Sequence, residues 1–278
     1  MVDYEVLGSG LGFIEGPIWT EAGLAFVSLE HGCAYRLEEN GTATRIAETS
    51  GGPNGLAAGR SALYVAQNGG IFAARSKAEP SVQVIGAEGI EDRFVGHFHA
   101  PNDLCFGPDG LLYVTDPASE KGIFEPIAGR VLACDLSTGE SRVVIEGRYF
   151  PNGLAFDADG HHLYLTQTYS RMVEKFAVEE GSLRSLGTFC ETVNGRPDGM
   201  AIDVEGNLWV CTPGTGGIEV FGPDGRHVER IEFGEGSMTT NCCFGGEDLQ
   251  DLYVTSAGLG SILKLRAPCP GLALVTGP

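Results

Sequence analysis

The chain is predicted to be all-β: a six-bladed β-propeller of four-stranded blades around a central channel, formed as one domain by residues 1–278. Three observations predict it. One short motif recurs six times from end to end, at intervals of roughly 40–50 residues, the span of a propeller blade. The apolar runs between motifs are strand-length, rich in Val, Ile, Leu, Phe and Tyr, and bounded by turn signals such as Pro108-Asp109-Gly110 and Pro223-Asp224-Gly225. Glycine makes up 42 of 278 residues, about twice the usual ~7%, and is scattered singly, as many tight turns require. Helical solenoids share this period, but no stretch sustains a 3.6-residue apolar pattern.

Each repeat has a polar key residue beside Pro or Gly, a short apolar run, a turn and an apolar strand. The first opens at Glu15-Gly16-Pro17-Ile18-Trp19 and leads to Leu24–Ser28. The second, Pro53-Asn54-Gly55-Leu56, leads to Leu63–Ala66, and the third, Pro101-Asn102-Asp103-Leu104, to Leu112–Thr115. The fourth, Pro151-Asn152-Gly153-Leu154, leads to Leu163–Thr166. Pro197-Asp198-Gly199-Met200 then leads to Leu208–Cys211, and Thr240-Asn241-Cys242-Cys243 to Leu252–Thr255. Ring closure requires one blade to draw strands from both ends of the chain, a role expected of Tyr4–Leu7 and Ile262–Leu265. Closure of this kind leaves only short, protected edges, which suits a monomer or weak homo-oligomer.

Composition excludes several function classes. A formal net charge of -19 with a pI near 4.6 repels a phosphate backbone, so nucleic-acid binding is not expected. No apolar run reaches the ~18 residues of a membrane span, and MVDYEVLGSG shows neither a basic nor an apolar leader segment; a cytoplasmic location is expected. The eight cysteines show no CxxC spacing and sit mostly in apolar runs, as reduced core residues would.

In a propeller the innermost strand of each blade lines the channel, so equivalent positions meet at one height. Glu15, Asn54, Asn102, Asn152, Asp198 and Asn241 therefore form a ring of side-chain oxygens. Any single Pro-Asn-Gly has an alternative explanation in turn chemistry. The ring, however, breaks its own consensus at Glu15 and Asp198, and two carboxylates in a narrow channel repel each other unless a cation joins them. Carboxylate and amide oxygens suit a hard ion, so one divalent metal is expected: Ca²⁺ first, with Mg²⁺, Mn²⁺ or Zn²⁺ as alternatives.

At these residues the sequence resembles the SMP-30/gluconolactonase/luciferin-regenerating (regucalcin-like) family. The carriers are the Glu15 motif, Pro151-Asn152-Gly153-Leu154-Ala155-Phe156-Asp157, and Pro197-Asp198-Gly199-Met200-Ala201-Ile202-Asp203 with Gly206-Asn207-Leu208-Trp209-Val210. Thr240-Asn241-Cys242-Cys243-Phe244-Gly245-Gly246 and a Pro270-Gly271-Leu272 tail extend the likeness over essentially the whole chain. The resemblance implies metal ligation by Glu15, Asn152 and Asp198. Asn102 joins them in the branch resembling bacterial lactonases and diisopropylfluorophosphatase, and contacts substrate in the aldonolactonase branch. That second branch has an arginine two residues before this Asn; here the position is Ala100, next to His99, and Thr115-Asp116-Pro117 follows on the next strand.

The expected activity is metal-assisted opening of a small lactone by an activated water, with Asp198 as general base. Asn54, His99, Asp116, Tyr169 and Asn241 are the expected substrate contacts. Alternatives on the same fold and metal are hydrolysis of another ester, such as a phosphotriester or a pathway-specific cyclic substrate, and a non-catalytic calcium-binding propeller. A WD40-type interaction propeller lacks its Gly-His and Trp-Asp signatures here. The specificity loops are expected around residues 86–100, 117–130 and 168–173.

Overall fold

The computed structural model describes residues 2–278; Met1, part of the predicted domain, lies outside them. β1 (Glu5–Leu7) precedes blade I, which is β2 (Ile14–Thr20), β3 (Gly23–Ser28), β4 (Cys33–Leu37) and β5 (Ala43–Glu48). Blade II is β6 (Pro53–Ala58), β7 (Leu63–Gln67), β8 (Ser81–Gly86) and β9 (Gly89–Arg93). Blade III is β10 (Leu104–Phe106), β11 (Leu112–Asp116), β12 (Ala128–Asp135) and β13 (Glu140–Tyr149). Blade IV is β14 (Pro151–Phe156), β15 (His162–Gln167), β16 (Met172–Glu179) and β17 (Ser182–Glu191). Blade V is β18 (Met200–Ile202), β19 (Leu208–Thr212), β20 (Gly217–Phe221) and β21 (His227–Glu232). Blade VI is β22 (Thr239–Gly245), β23 (Asp251–Ser256) and β24 (Ser261–Arg266), completed by β1. All pairings are antiparallel, and the inner strands pack in cyclic order from β2 through β22 and back to β2.

Closure occurs as the two chain ends predict. β1 joins β24 in the register Glu5↔Lys264, Val6↔Leu263, Leu7↔Ile262, so blade VI is held by strands from both ends of the chain.

The core is divided into six wedges, each between two neighbouring blades. Phe26, Ile14 and Leu24 of blade I meet Cys243, Tyr253 and Ile262 of blade VI. Trp209, Ile218 and Val220 of blade V meet Phe244, Val254 and Leu263 of blade VI. Each fully buried side chain of this size contributes about 1.5–3 kcal/mol, so no blade is stable without its neighbours. All eight cysteines are free, and six of them are buried in or beside these wedges.

Strand direction fixes which loops share a face. Inner strands start at the face that carries the key residues, so that face also collects the loop after each second strand and the loop after each fourth. Residues 94–101, 117–127, 168–171 and 192–197 lie there. The Gly86–Gly89 turn joins a third strand to a fourth and lies at the opposite face, so the first part of the expected 86–100 specificity loop is misplaced. No helix among the described residues is long and apolar enough to cross a membrane.

Candidate metal centre

The inner strands are irregular where the key residues stand. Pairing shifts register between Glu15 and Ile18, between Pro53 and Leu56, between Pro151 and Leu154, and between Thr239 and Asn241. In blades III and V the strand begins only after the motif, at Leu104 and Met200. A bulge frees the local side chain from the pleat and re-aims it, here toward the axis. The freed backbone bonds to the neighbouring blade instead: Gly55 N–H donates to Asn102 O (2.8 Å) and Gly199 N–H to Thr240 O (2.9 Å).

The glycine after the key residue serves this close approach. A Cβ on Gly153 would stand 2.8 Å from Asp198 O and from Gly199 Cα, and one on Gly199 would overlap the Asn241 amide. The Pro-Asn-Gly turn chemistry thus becomes an inter-blade contact at the axis. Blades III and VI depart from the pattern, with Asp103 and Cys242 at the glycine position.

Glu15 (5% exposed), Asn54, Asn152 and Asn241 are buried, while Asn102 and Asp198 are partly open. Glu15 Oε2 accepts from Gly16 N–H (2.9 Å). Asn152 Nδ2 donates to Thr168 Oγ1 (3.1 Å), whose hydroxyl in turn donates to Pro197 O (2.8 Å). This leaves the Asn152 oxygen as its uncommitted atom. Asn241 is turned the other way: Oδ1 accepts from Cys242 N–H (2.9 Å) and Nδ2 donates to Asp103 Oδ2 (3.3 Å). Blades III and VI stand opposite each other, so this last bond spans the axis.

The electrostatics are one-sided. Burial, followed by repulsion from Asp198, raises Glu15 well above the usual carboxylate range. Burial, then Asp103, raises Asp198 as well. Burial raises Asp103 from 3.8 to about 6, against the opposing hydrogen bonds from Leu104 N–H and Asn241. No basic side chain offsets these three acids among the described residues. A divalent cation fits this donor set: carboxylates that repel each other and an amide oxygen left free, all of them hard oxygen donors. No group of three or more His, Cys, Asp or Glu side chains has metal-binding geometry among the described residues, so any such site depends on the asparagine oxygens.

The expected substrate contacts divide. Asn54 and Asn241 lie in the ring, and Tyr169 lies on the same face, edge-on to Tyr149 at 5.9 Å. His99 is exposed on that face. Asp116 is not turned toward a substrate: it is fully buried, its oxygens accept His99 N–H (3.1 Å) and Ala100 N–H (2.8 Å), and Arg130 pairs with it at 2.9 Å. Its place is beneath the loop that carries His99. Sequence reasoning missed Asp103 and Thr168. Asp103 was detectable by the consensus break that singled out Glu15 and Asp198; Thr168 carried no signal.

Below the Asp103–Asn241 bond the channel continues as a cavity of about 140 Å³ lined by Leu56, Leu104, Leu154, Met200 and Phe244. The C-terminal tail crosses its far end. Leu272 N–H bonds Ile202 O in blade V, and Gly277 N–H bonds Ala58 O in blade II. The open route to the ring is therefore the face with the 94–101, 117–127, 168–171 and 192–197 loops.

Residues 13–258 match the family described as the SMP-30/gluconolactonase/LRE-like region. The chain is 30% identical to pentonolactonase XacC of Haloferax volcanii over 252 residues, covering 88% of this chain and 81% of the relative. It is 28% identical to a gluconolactonase of Zymomonas mobilis, covering 91% and 78%. Among solved structures, a luciferin-regenerating enzyme superposes with a TM-score of 0.84 at 21% identity, covering 99% of each chain.

Proposed function

Since the chain belongs to the SMP-30/gluconolactonase/LRE-like family, we propose that it is a divalent-metal-dependent hydrolase that opens a small lactone. One observation carries the reading: three acids, Glu15 buried and Asp103 and Asp198 partly so, converge on the axis with no basic partner, at the end of the channel that opens to solvent. The names of the lactonases it resembles supply the reaction class.

Glu15, Asn102, Asn152 and Asp198 would hold the ion, with Ca²⁺ the first candidate. Such an ion supplies charge that polarises a carbonyl oxygen and lowers the pKa of water. The chain's own groups do the rest. Asp198 takes the proton of the attacking water as general base, and the Thr166 hydroxyl holds its backbone by donating to the Asp198 carbonyl oxygen (2.8 Å). Thr168 holds the Asn152 amide so that its oxygen faces the site. The Asn54 and Asn102 amides orient the ring and meet negative charge on the carbonyl oxygen as it develops.

The test is a pH-drop assay on γ- and δ-lactones, including gluconolactone, with a phosphotriester in the panel, with and without chelator. Lactone turnover that chelator abolishes and calcium restores is expected, with Asp198→Ala and Glu15→Ala each lowering kcat/KM by about 10²–10³. Full activity in chelator, or an unimpaired Asp198→Ala, refutes the scheme.

A further inference from the structure

One partly buried cation on the open face has a buried guanidinium nitrogen without a partner. Arg196 stands two residues before Asp198, in the loop between blades IV and V. Its Nη1 is buried without a hydrogen-bond partner, and no ion pair engages its guanidinium among the described residues. The half-buried arginines nearby are all matched: Arg130 with Asp116 (2.9 Å), Arg148 with Glu174 (2.8 Å), and Arg230 with Glu219 (3.7 Å). In a chain of net charge -19, leaving a partly desolvated arginine unmatched runs against both electrostatics and composition.

The surroundings hold this cation in place. Its guanidinium carbon lies 5.7 Å from the Tyr169 ring centre and 5.6 Å from that of Phe124. The side chain therefore reaches back over blade IV to the loop of blade III, above the blade whose inner strand carries Asn152. Aromatic contacts of this kind steady a guanidinium without using its N–H groups. Phe124, in the 117–127 loop, is 75% exposed, a position with no structural use for so large a ring. The Arg196 loop is also braced from beneath, because buried Glu219 accepts Val193 N–H (2.8 Å) and Asn194 N–H (2.7 Å). The Thr192 hydroxyl closes the turn on Gly195 O (2.6 Å).

We propose that Arg196 is the specificity residue of this site and receives a carboxylate carried by the substrate, so that the lactone opened here is an acidic one. This rests on the lactonase reading. A guanidinium offers parallel N–H groups that match a carboxylate's two oxygens. Near the axis Glu15, Asp103 and Asp198 repel any anionic group. The substrate's pendant carboxylate is therefore placed at the rim, where Arg196 stands between Phe124 and Tyr169, while the ring carbonyl points to the axis.

The test compares two lactones that differ only in this group, γ-butyrolactone and 5-oxotetrahydrofuran-2-carboxylate. Wild type, Arg196→Met and Arg196→Lys are assayed with calcium, after circular dichroism confirms the fold. Calorimetry on the same proteins measures binding of the ring-opened forms, 4-hydroxybutyrate and 2-hydroxyglutarate. Wild type is expected to favour the carboxylated lactone in kcat/KM. Arg196→Met should erode that preference by about tenfold to a hundredfold, with 2-hydroxyglutarate binding weakened in step, and Arg196→Lys should retain part of it. Turnover of both lactones with the preference unaltered in Arg196→Met overturns the assignment and leaves lactonase activity standing. If neither lactone is opened, the lactonase reading fails; selective loss of 2-hydroxyglutarate binding in Arg196→Met then still upholds Arg196 as the carboxylate site, and equal binding overturns it.

Discussion

Without a cation, this protein should lose stability as the pH rises from 5 to 8. Asp103 is the group that gives the effect a size. Its ionisation is displaced from 3.8 to about 6 by burial, which corresponds to about 3 kcal/mol between its two protonation states. The folded-state value is raised, so the group's favourable contribution is complete below about pH 3.8 and is lost as the pH climbs through 6. Glu15 and Asp198 are raised too and act with the same sign. About half of the Asp103 contribution, roughly 1.4 kcal/mol, is lost between pH 5 and 8, because the unfolded carboxyl is already ionised at pH 5; at roughly 2 °C of Tm per kcal/mol for a chain of this length, Asp103 alone accounts for about 2–3 °C. Scanning calorimetry in chelator at pH 5, 6, 7 and 8 measures it, with Asp103→Asn as the non-ionising control; its amide oxygen still accepts from Leu104 N–H, at the loss of the bond from Asn241. Wild type should melt progressively lower as pH rises, and Asp103→Asn should show a shallower slope and a higher Tm at pH 8. Calcium should restore more stability at pH 8 than at pH 5, since binding requires the acids ionised. A wild-type Tm that is flat or rising across this range, or a slope unaltered in Asp103→Asn, refutes the claim that three uncompensated acids share the channel.

Three further outcomes follow from the same geometry. Asp116→Ala strands Arg130 and frees His99 and Ala100 N–H, and should cost about 3–5 kcal/mol in urea unfolding, with a double-mutant cycle against Arg130→Met showing coupling above about 1 kcal/mol. Gly153→Ala drives a methyl group against blade V backbone at 2.8 Å, and should cost about 1–3 kcal/mol and weaken calcium binding measured by calorimetry. Thr168→Val removes the acceptor that turns the Asn152 amide; calcium affinity should fall about tenfold while the melting temperature of the chelated protein moves by only a few degrees.

The fold was legible because a propeller repeats its chemistry. The Pro-Asn-Gly series marks every inner strand, and the apolar runs after it mark the second strands. The Tyr4–Leu7 and Ile262–Leu265 pairing follows once six blades must close on themselves. The key ring was legible for the same reason. What escaped was whatever one blade does differently from the rest. Asp103 stands where four of the six motifs have glycine, and its bond across the axis to Asn241 shows only once the inner strands are brought together. Asp116 reads in sequence like a pocket acid, yet its strand direction turns it under the 97–100 loop toward Arg130. Arg196 reads as one more surface charge until Phe124 and Tyr169, from two other loops, are found against it.

The channel also shows how a six-fold scaffold yields a one-sided site. Acids stand in blades I, III and V, at Glu15, Asp103 and Asp198, with Asp103 next to the ring amide of Asn102, while blades II, IV and VI supply only the amides of Asn54, Asn152 and Asn241. An all-amide ring would be neutral and have no strong demand for a cation; a ring of six acids would repel itself even with one bound. Asp103 differs from the other two acids because its carboxylate is tied across the axis to Asn241, at the level where the apolar cavity begins. There it would limit the depth to which the proposed ion enters, and its charge makes Glu15 harder to ionise. The acid that broke the glycine pattern thus serves as the floor of the site. The arginine that lacks a partner stands at its rim, and a substrate spanning the two would carry its own negative charge at the end farthest from the acids.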